Sequence, residues 1–142
     1  MKDKLIQLLK TVEKPARYAG NELNMVEKAS FDARFALCFP DIYEVGMSHL
    51  GSRILYGLLN AREDTYCERV YAPWVDMEAR MRENGIELFS LETKTPLRAF
   101  DIAGFSISHE MGYTNLVNML DLSGIPVFSC ERGEDMPLVV CG

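Results

Sequence analysis

RFALCFPDIYEVGMSHLGSRILYGLLN, residues 34–60, holds the decision on the fold. Phe35–Phe39 is a short apolar run, enough for one buried strand and no more. Ser48–Asn60 then places Leu50, Ile54, Leu55, Leu58 and Leu59 at helical intervals. Between them lies Phe39–Gly51, a joint packed with Pro, Asp, Tyr, two Gly and a His. Strand, joint and amphipathic helix make the opening of a βαβ unit. In open α/β sheets such joints line the crevice where ligands bind.

The rest of the chain repeats the alternation. Cys67–Tyr71 is expected as a strand, with Val70 and Tyr71 favouring extended backbone. Pro73–Asn84 carries Trp74, Val75, Met77 and Met81 and is expected as a helix stopped by Asn84-Gly85. Ile86–Phe89 is expected as a further short strand. Asp101–Ser108 is another, with Gly104 inside it marking close approach of a neighbouring backbone. Tyr113–Leu122 is expected as a helix, Val127–Cys130 as an extended piece, and Leu138–Cys141 as a last apolar strand. The expected fold class is α/β: a Rossmann-like, flavodoxin-like parallel sheet with helices on both faces. Upstream, apolar positions from Leu5 to Val12 predict a short helix. A polar connector follows, in which Lys14, Arg17 and Tyr18 suit either a phosphate or partner domain, or a solvated arm. Residues 1–33 are therefore read as helix and arm, and 34–142 as the α/β domain. A buried strand closing the sequence at Val-Val-Cys-Gly gives the expectation of a sheet that is incomplete at its C-terminal side.

Composition narrows the function classes. Hydrophobic residues make up 48% of the 142 and charged ones 25%, an ordinary globular balance. The net charge of −6 argues against a broad nucleic-acid or anionic-membrane surface. No run approaches the ~18 apolar residues of a membrane span. MKDKLIQLLKTVEK lacks an apolar core of signal length, so a cytoplasmic location is expected. The four cysteines are Cys38, Cys67, Cys130 and Cys141, with no CxxC or CxxxCxxC, so local spacing supports no zinc or iron–sulfur site. Cys38 and Cys141 sit in apolar runs and are expected as buried thiols.

The residues that suit a ligand lie at two joints. In the first, Asp41 suits a backbone turn or a ligand hydroxyl or amide. Gly46 and Gly51 permit tight turns or close approach of a flat ligand. Ser48 is expected to cap the next helix. His49 suits capping or packing more than metal ligation. In the second, Ser106 and Ser108 lie two residues apart at the end of a strand and are expected to face one side. There is no GxGxxG, no GxxxxGK[ST] and no GxSxG. His109-Glu110 point apart in an extended chain, Trp74 is expected as a core anchor, and Met47, Met111 and Met119 are expected as core filler.

These joints line up with a known family. DIYEVG, Asp41 to Gly46, is similar to the D-x-H-x-x-G loop of cobalamin-binding domains, with Tyr43 in the histidine place. SIS, Ser106 to Ser108, stands where that family has S-x-L. Cys141-Gly142 stands where a Gly-Gly turn follows the fourth strand. With KPARYAGNELN, FPDIYEVGMSHLG, APWVDME, LFSLET and MLDLSGIP, the chain resembles the N-terminal region of B12-binding-domain-containing radical SAM proteins of bacteria and archaea. The resemblance covers about Lys14 to Gly142. It implies a domain that is not catalytic alone, followed in the same polypeptide by a radical SAM barrel. That barrel would bring the CxxxCxxC, its [4Fe-4S] cluster and S-adenosylmethionine. It further implies cobalamin over the carboxyl ends of the strands, its lower face on the Asp41–Gly51 loop, with Tyr43, Gly46, His49 and Gly51. The nucleotide tail would run beside Ser106, Ser108 and Gly142, and the upper face would meet the barrel, where a methyl group or radical is handled. The departures are Tyr43 for histidine and Ser108 for leucine. They leave cobalt to its own base or water with Tyr43 shielding it, or suit a scaffold that keeps the fold without the corrinoid. A nucleotide-binding flavodoxin-like domain is the third reading, and the Pro40–Gly51 joint lacks the Ser/Thr/Gly phosphate loop it needs.

Overall fold

The computed structural model describes residues 2–142, with the side chains of Lys2 and Asp3 left aside. Four parallel strands form the sheet: β1 (Ala33–Phe39), β2 (Thr65–Tyr71), β3 (Ile102–Phe105) and β4 (Leu138–Cys141), in the order β2-β1-β3-β4. β1 pairs with β2 from Ala33↔Thr65 to Phe39↔Tyr71, and with β3 from Phe35↔Ile102 to Cys38↔Phe105. This is the α/β parallel sheet expected from the alternation of short apolar runs and amphipathic segments.

The helices are α1 (Lys2–Leu9), α2 (Tyr43–Ser48), α3 (Leu50–Ala61), α4 (Val75–Asn84) and α5 (Gly112–Leu122). Side-chain alternation along the strands sorts them into layers. Ala36, Cys38, Ala103 and Phe105 face the main core, where Met77 and Met81 of α4, Leu116, Met119 and Leu120 of α5, and Leu5 and Leu8 of α1 pack. Leu37 and Cys67 face the other side, where Tyr56 of α3 covers them. One helix thus serves one face and three serve the other. α4 stops at Gly85, whose φ of +60 is the left-handed cap that glycine adopts without strain, and Ile86 N–H closes back on the Met81 carbonyl. Of the methionines expected as core filler, Met119 is fully buried, Met47 is half-buried and Met111 is exposed, while Met77 and Met81 of α4 fill the core.

Several expectations are corrected. Ile86–Phe89 is no strand of the sheet: Phe89 makes one isolated antiparallel bridge to Pro96. Its apolar run is explained by burial in the main core, where Ile86, Leu88 and Phe89 all lie. Val127–Cys130 is not extended, since a 3-10 turn begins at Ser129. The strand expected over Asp101–Ser108 ends at Phe105. The helix expected from Ser48 starts at Leu50, and the joint before it carries its own helix, α2. Gly104 meets a side chain, not a backbone: a Cβ there would lie 2.5 Å from the Phe35 ring. Trp74 is 40% exposed rather than a core anchor, and Cys141 is exposed while Cys38 is buried. No described helix is long and apolar enough to cross a membrane.

Candidate ligand crevice at the carboxyl edge

The Phe39–Gly51 joint is held by its own neighbours. Asp41 N–H turns back to the Phe39 carbonyl, and the Asp41 carbonyl accepts from Ala72 N–H at 3.0 Å, tying the ends of β1 and β2 together. The Asp41 carboxylate accepts from Ile42 N–H at 2.7 Å. α2 then lies on the Tyr71 ring. A Cβ at Gly46 would come within 2.2 Å of that ring, so glycine is required for packing rather than for a ligand. Tyr71 donates to the Met47 sulfur at 3.1 Å.

Tyr43 is half-buried and tied to the connector. Its hydroxyl donates to Glu22 of the connector at 2.6 Å, and its ring meets Tyr71 edge-on, centroids 5.8 Å apart. Burial, and then the Glu22 carboxylate beside it, push its hydroxyl up to about 12. Glu44, next along α2, receives Arg17 Nε on both oxygens at 2.9 Å. Arg17 also lies 5.3 Å from the centre of the Trp74 ring, and Tyr18 Oη accepts from Trp74 N–H. Arg17 and Tyr18 are therefore spent on the domain itself, neither solvated nor open to a phosphate.

His49 caps α3, the role expected of Ser48. His49 Nδ1 accepts from Ser52 N–H at 3.1 Å and lies 2.9 Å from Ser52 Oγ. Accepting from an amide leaves the proton of the neutral ring on Nε2. The ring packs on Phe39, and Gly51 leaves room for it, since a Cβ there would stand 3.0 Å from the imidazole. Ser48 instead donates to the Val45 carbonyl.

The second joint is open. Ser106 N–H donates to the Cys38 carbonyl, Gly142 N–H to the Phe105 carbonyl, and Ile107 N–H to the Gly142 carbonyl. Beside them runs an exposed trough of about 270 Å³ on the α3 side of the sheet. Ser106 and Gly142 line it with Phe35, Leu55, Gly104 and Val140. Ser108 lies beyond the end of β3, exposed, and does not share this trough. Of the eight residues singled out, the structure brings Ser106 and Gly142 together. It sets Tyr43 and Gly46 against the Tyr71 ring, and His49 against Gly51 and Phe39, as packing contacts.

Two buried ion pairs went unnoticed in the sequence. Glu68 is fully buried and accepts from Arg34 Nη2 at 2.6 Å, Ser90 Oγ at 2.7 Å and Thr93 Oγ1 at 2.7 Å. Arg69 donates through Nε to Glu92 at 2.7 Å and through Nη1 to Asn24 at 3.1 Å, above the Tyr56 ring. Burial pushes the Glu92 carboxyl up, and the Arg69 guanidinium opposes it. The signal was adjacent charges, Glu68-Arg69, inside an apolar strand, which buried strands tolerate only as pairs.

The family described as "Radical SAM proteins, N-terminal" matches residues 51–142, well over half of the chain. The chain belongs to that family. No curated protein and no solved structure gives a significant match.

Proposed function

We propose that this domain is a positioning module of a radical SAM protein, a scaffold that orients the radical SAM part of the same polypeptide and performs no chemistry itself. The observation that carries this reading is the closed first joint. Tyr43 is held by Glu22, Glu44 by Arg17, Gly46 by Tyr71 and His49 by Ser52, so the loop spends its polar groups on the fold. In such a protein the downstream part would supply the [4Fe-4S] cluster and S-adenosylmethionine.

Cobalamin fits this chain in part only. The Asp41–Gly51 loop offers cobalt no free imidazole, because His49 Nδ1 serves the α3 cap and Tyr43 stands in the expected histidine place with its oxygen on Glu22. The trough, at about 270 Å³, is below the roughly 300–1,000 Å³ of pockets that enclose drug-sized ligands, and a corrinoid is larger still. A second reading keeps a corrinoid with its own lower base, its nucleotide tail beside Ser106 and Gly142. The clustering of these two residues in one trough favours it. Titration with hydroxocobalamin separates the readings. The scaffold predicts no corrinoid retained through gel filtration, and the second reading predicts retention that Ser106→Trp abolishes.

A further inference from the structure

The two edges of the sheet are treated differently. At the β2 edge the backbone is closed off. The Asn60 side chain pairs with both the N–H and the carbonyl of Cys67, at 3.0 Å each. Arg69 N–H donates to Glu92, and the Arg69 carbonyl accepts from Leu91 N–H. Capping of this kind keeps a sheet edge from pairing with another chain. The β4 edge has no such cover among the described residues. Leu138 and Gly142 turn their N–H groups inward to Asp101 and Phe105, so alternation turns those of Val139 and Cys141 outward.

The apolar surface beside this edge is open as well. α3 buries Ser52 and Tyr56 and half-buries Leu59, yet a second apolar arc of the same helix faces solvent: Leu50 (66% exposed), Ile54, Leu55 and Leu58 (62% exposed). A helix apolar on two sides has a second partner. Leu55 joins this arc to Phe35 and Val140 across the trough, so helix, sheet face and edge form one surface. On the opposite face Ala103 and Phe105 of β3 lie buried in the main core.

We propose that this surface docks the polypeptide joining the domain to the radical SAM part of the same protein, as a fifth parallel strand beside β4 followed by a helix laid in the trough between α3 and β4. This rests on the positioning role proposed above. The family's N-terminal placement supplies the occupant, since its members carry their radical SAM part on the C-terminal side of this region. Topology supplies the form. A right-handed crossover from β4 runs over the α5 face, which leaves the α3 face for the helix that follows the new strand.

Hydrogen exchange on the natural polypeptide, carrying this domain with its radical SAM part, tests the proposal. Val139 and Cys141 amides are expected to exchange at least about a hundredfold slower than the exposed Gly133–Asp135 turn, as locked strand amides do. The double variant Leu58→Asp/Val140→Asp should release them while β1 amides stay protected, which shows that the domain itself remains folded. Val139 and Cys141 exchanging as fast as the turn in the wild-type polypeptide overturns the proposal. Protection that disappears on dilution, with a dimer seen by light scattering, overturns it too, because the occupant is then a second copy. Reductive cleavage of S-adenosylmethionine by the same preparation is read separately. Cleavage with an unprotected β4 sinks the docking surface and spares the radical SAM reading. Protection without cleavage supports the surface and sinks that reading.

Discussion

Gly46 shows how a single position decides between ligand and packing. Its missing Cβ is filled by the Tyr71 ring, itself fixed by Tyr43 and Met47. Gly46→Ala is expected to cost roughly 1–3 kcal/mol, the range for overpacking a fitted contact, measured by urea denaturation. Tyr43 makes a pH-dependent contribution. Its hydroxyl is raised from 10 to about 12 on folding, so the neutral form is favoured in the native state. That stability is fully present below pH 10 and is lost as pH rises to about 12. Tyr43→Phe should lower stability by about 1 kcal/mol at neutral pH, from the lost hydrogen bond, and flatten its fall over that alkaline window. An unchanged slope in denaturation curves across the window would contradict the assignment. The sequence reading grouped Asp41, Tyr43 and Gly46 in one joint. It did not show to what they are tied, because Glu22 stands 21 residues away in a connector with no periodicity.

At the scale of elements, the cap of α3 and the interior of β2 carry the sharpest consequences. His49→Ala removes the acceptor for Ser52 N–H and should cost about 1 kcal/mol, with faster exchange confined to the first turn of α3; His49→Asn should restore most of it. Glu68→Gln removes the buried charge that the partly exposed Arg34 guanidinium pairs with and should cost about 1.5–3 kcal/mol, read from thermal unfolding. A loss well below this would mean that Ser90 and Thr93 hold the network without the ion pair. Element positions were largely legible, because apolar runs of four to seven residues separated by helical patterns have few other solutions. The failures have a common cause. The Ile86–Phe89 run is apolar because it is buried under the helices, and burial alone does not tell a ladder strand from a lining segment. The exposed arc of α3 misleads in the opposite sense. Its leucines suggest core, yet Leu50 and Leu58 face solvent.

For the whole molecule, order β2-β1-β3-β4 places the reversal of strand order between β1 and β3, the position where open α/β sheets take their ligands. One side of that position is closed by α2 and the connector, and the other opens into the trough at Ser106 and Gly142. The sequence reading placed both joints at this edge and pointed to the N-terminal region of radical SAM proteins. The closure of the first joint depends on contacts between the connector and α2 that only the folded chain brings together.

The most direct measurement is a spectroscopic titration of the natural polypeptide with hydroxocobalamin, followed by gel filtration, with folding checked by circular dichroism. The positioning account predicts an unchanged corrinoid spectrum and elution of protein free of corrinoid. A corrinoid that co-elutes in stoichiometric amount with a shifted spectrum would contradict it and make the trough beside Ser106 and Gly142 a cofactor site.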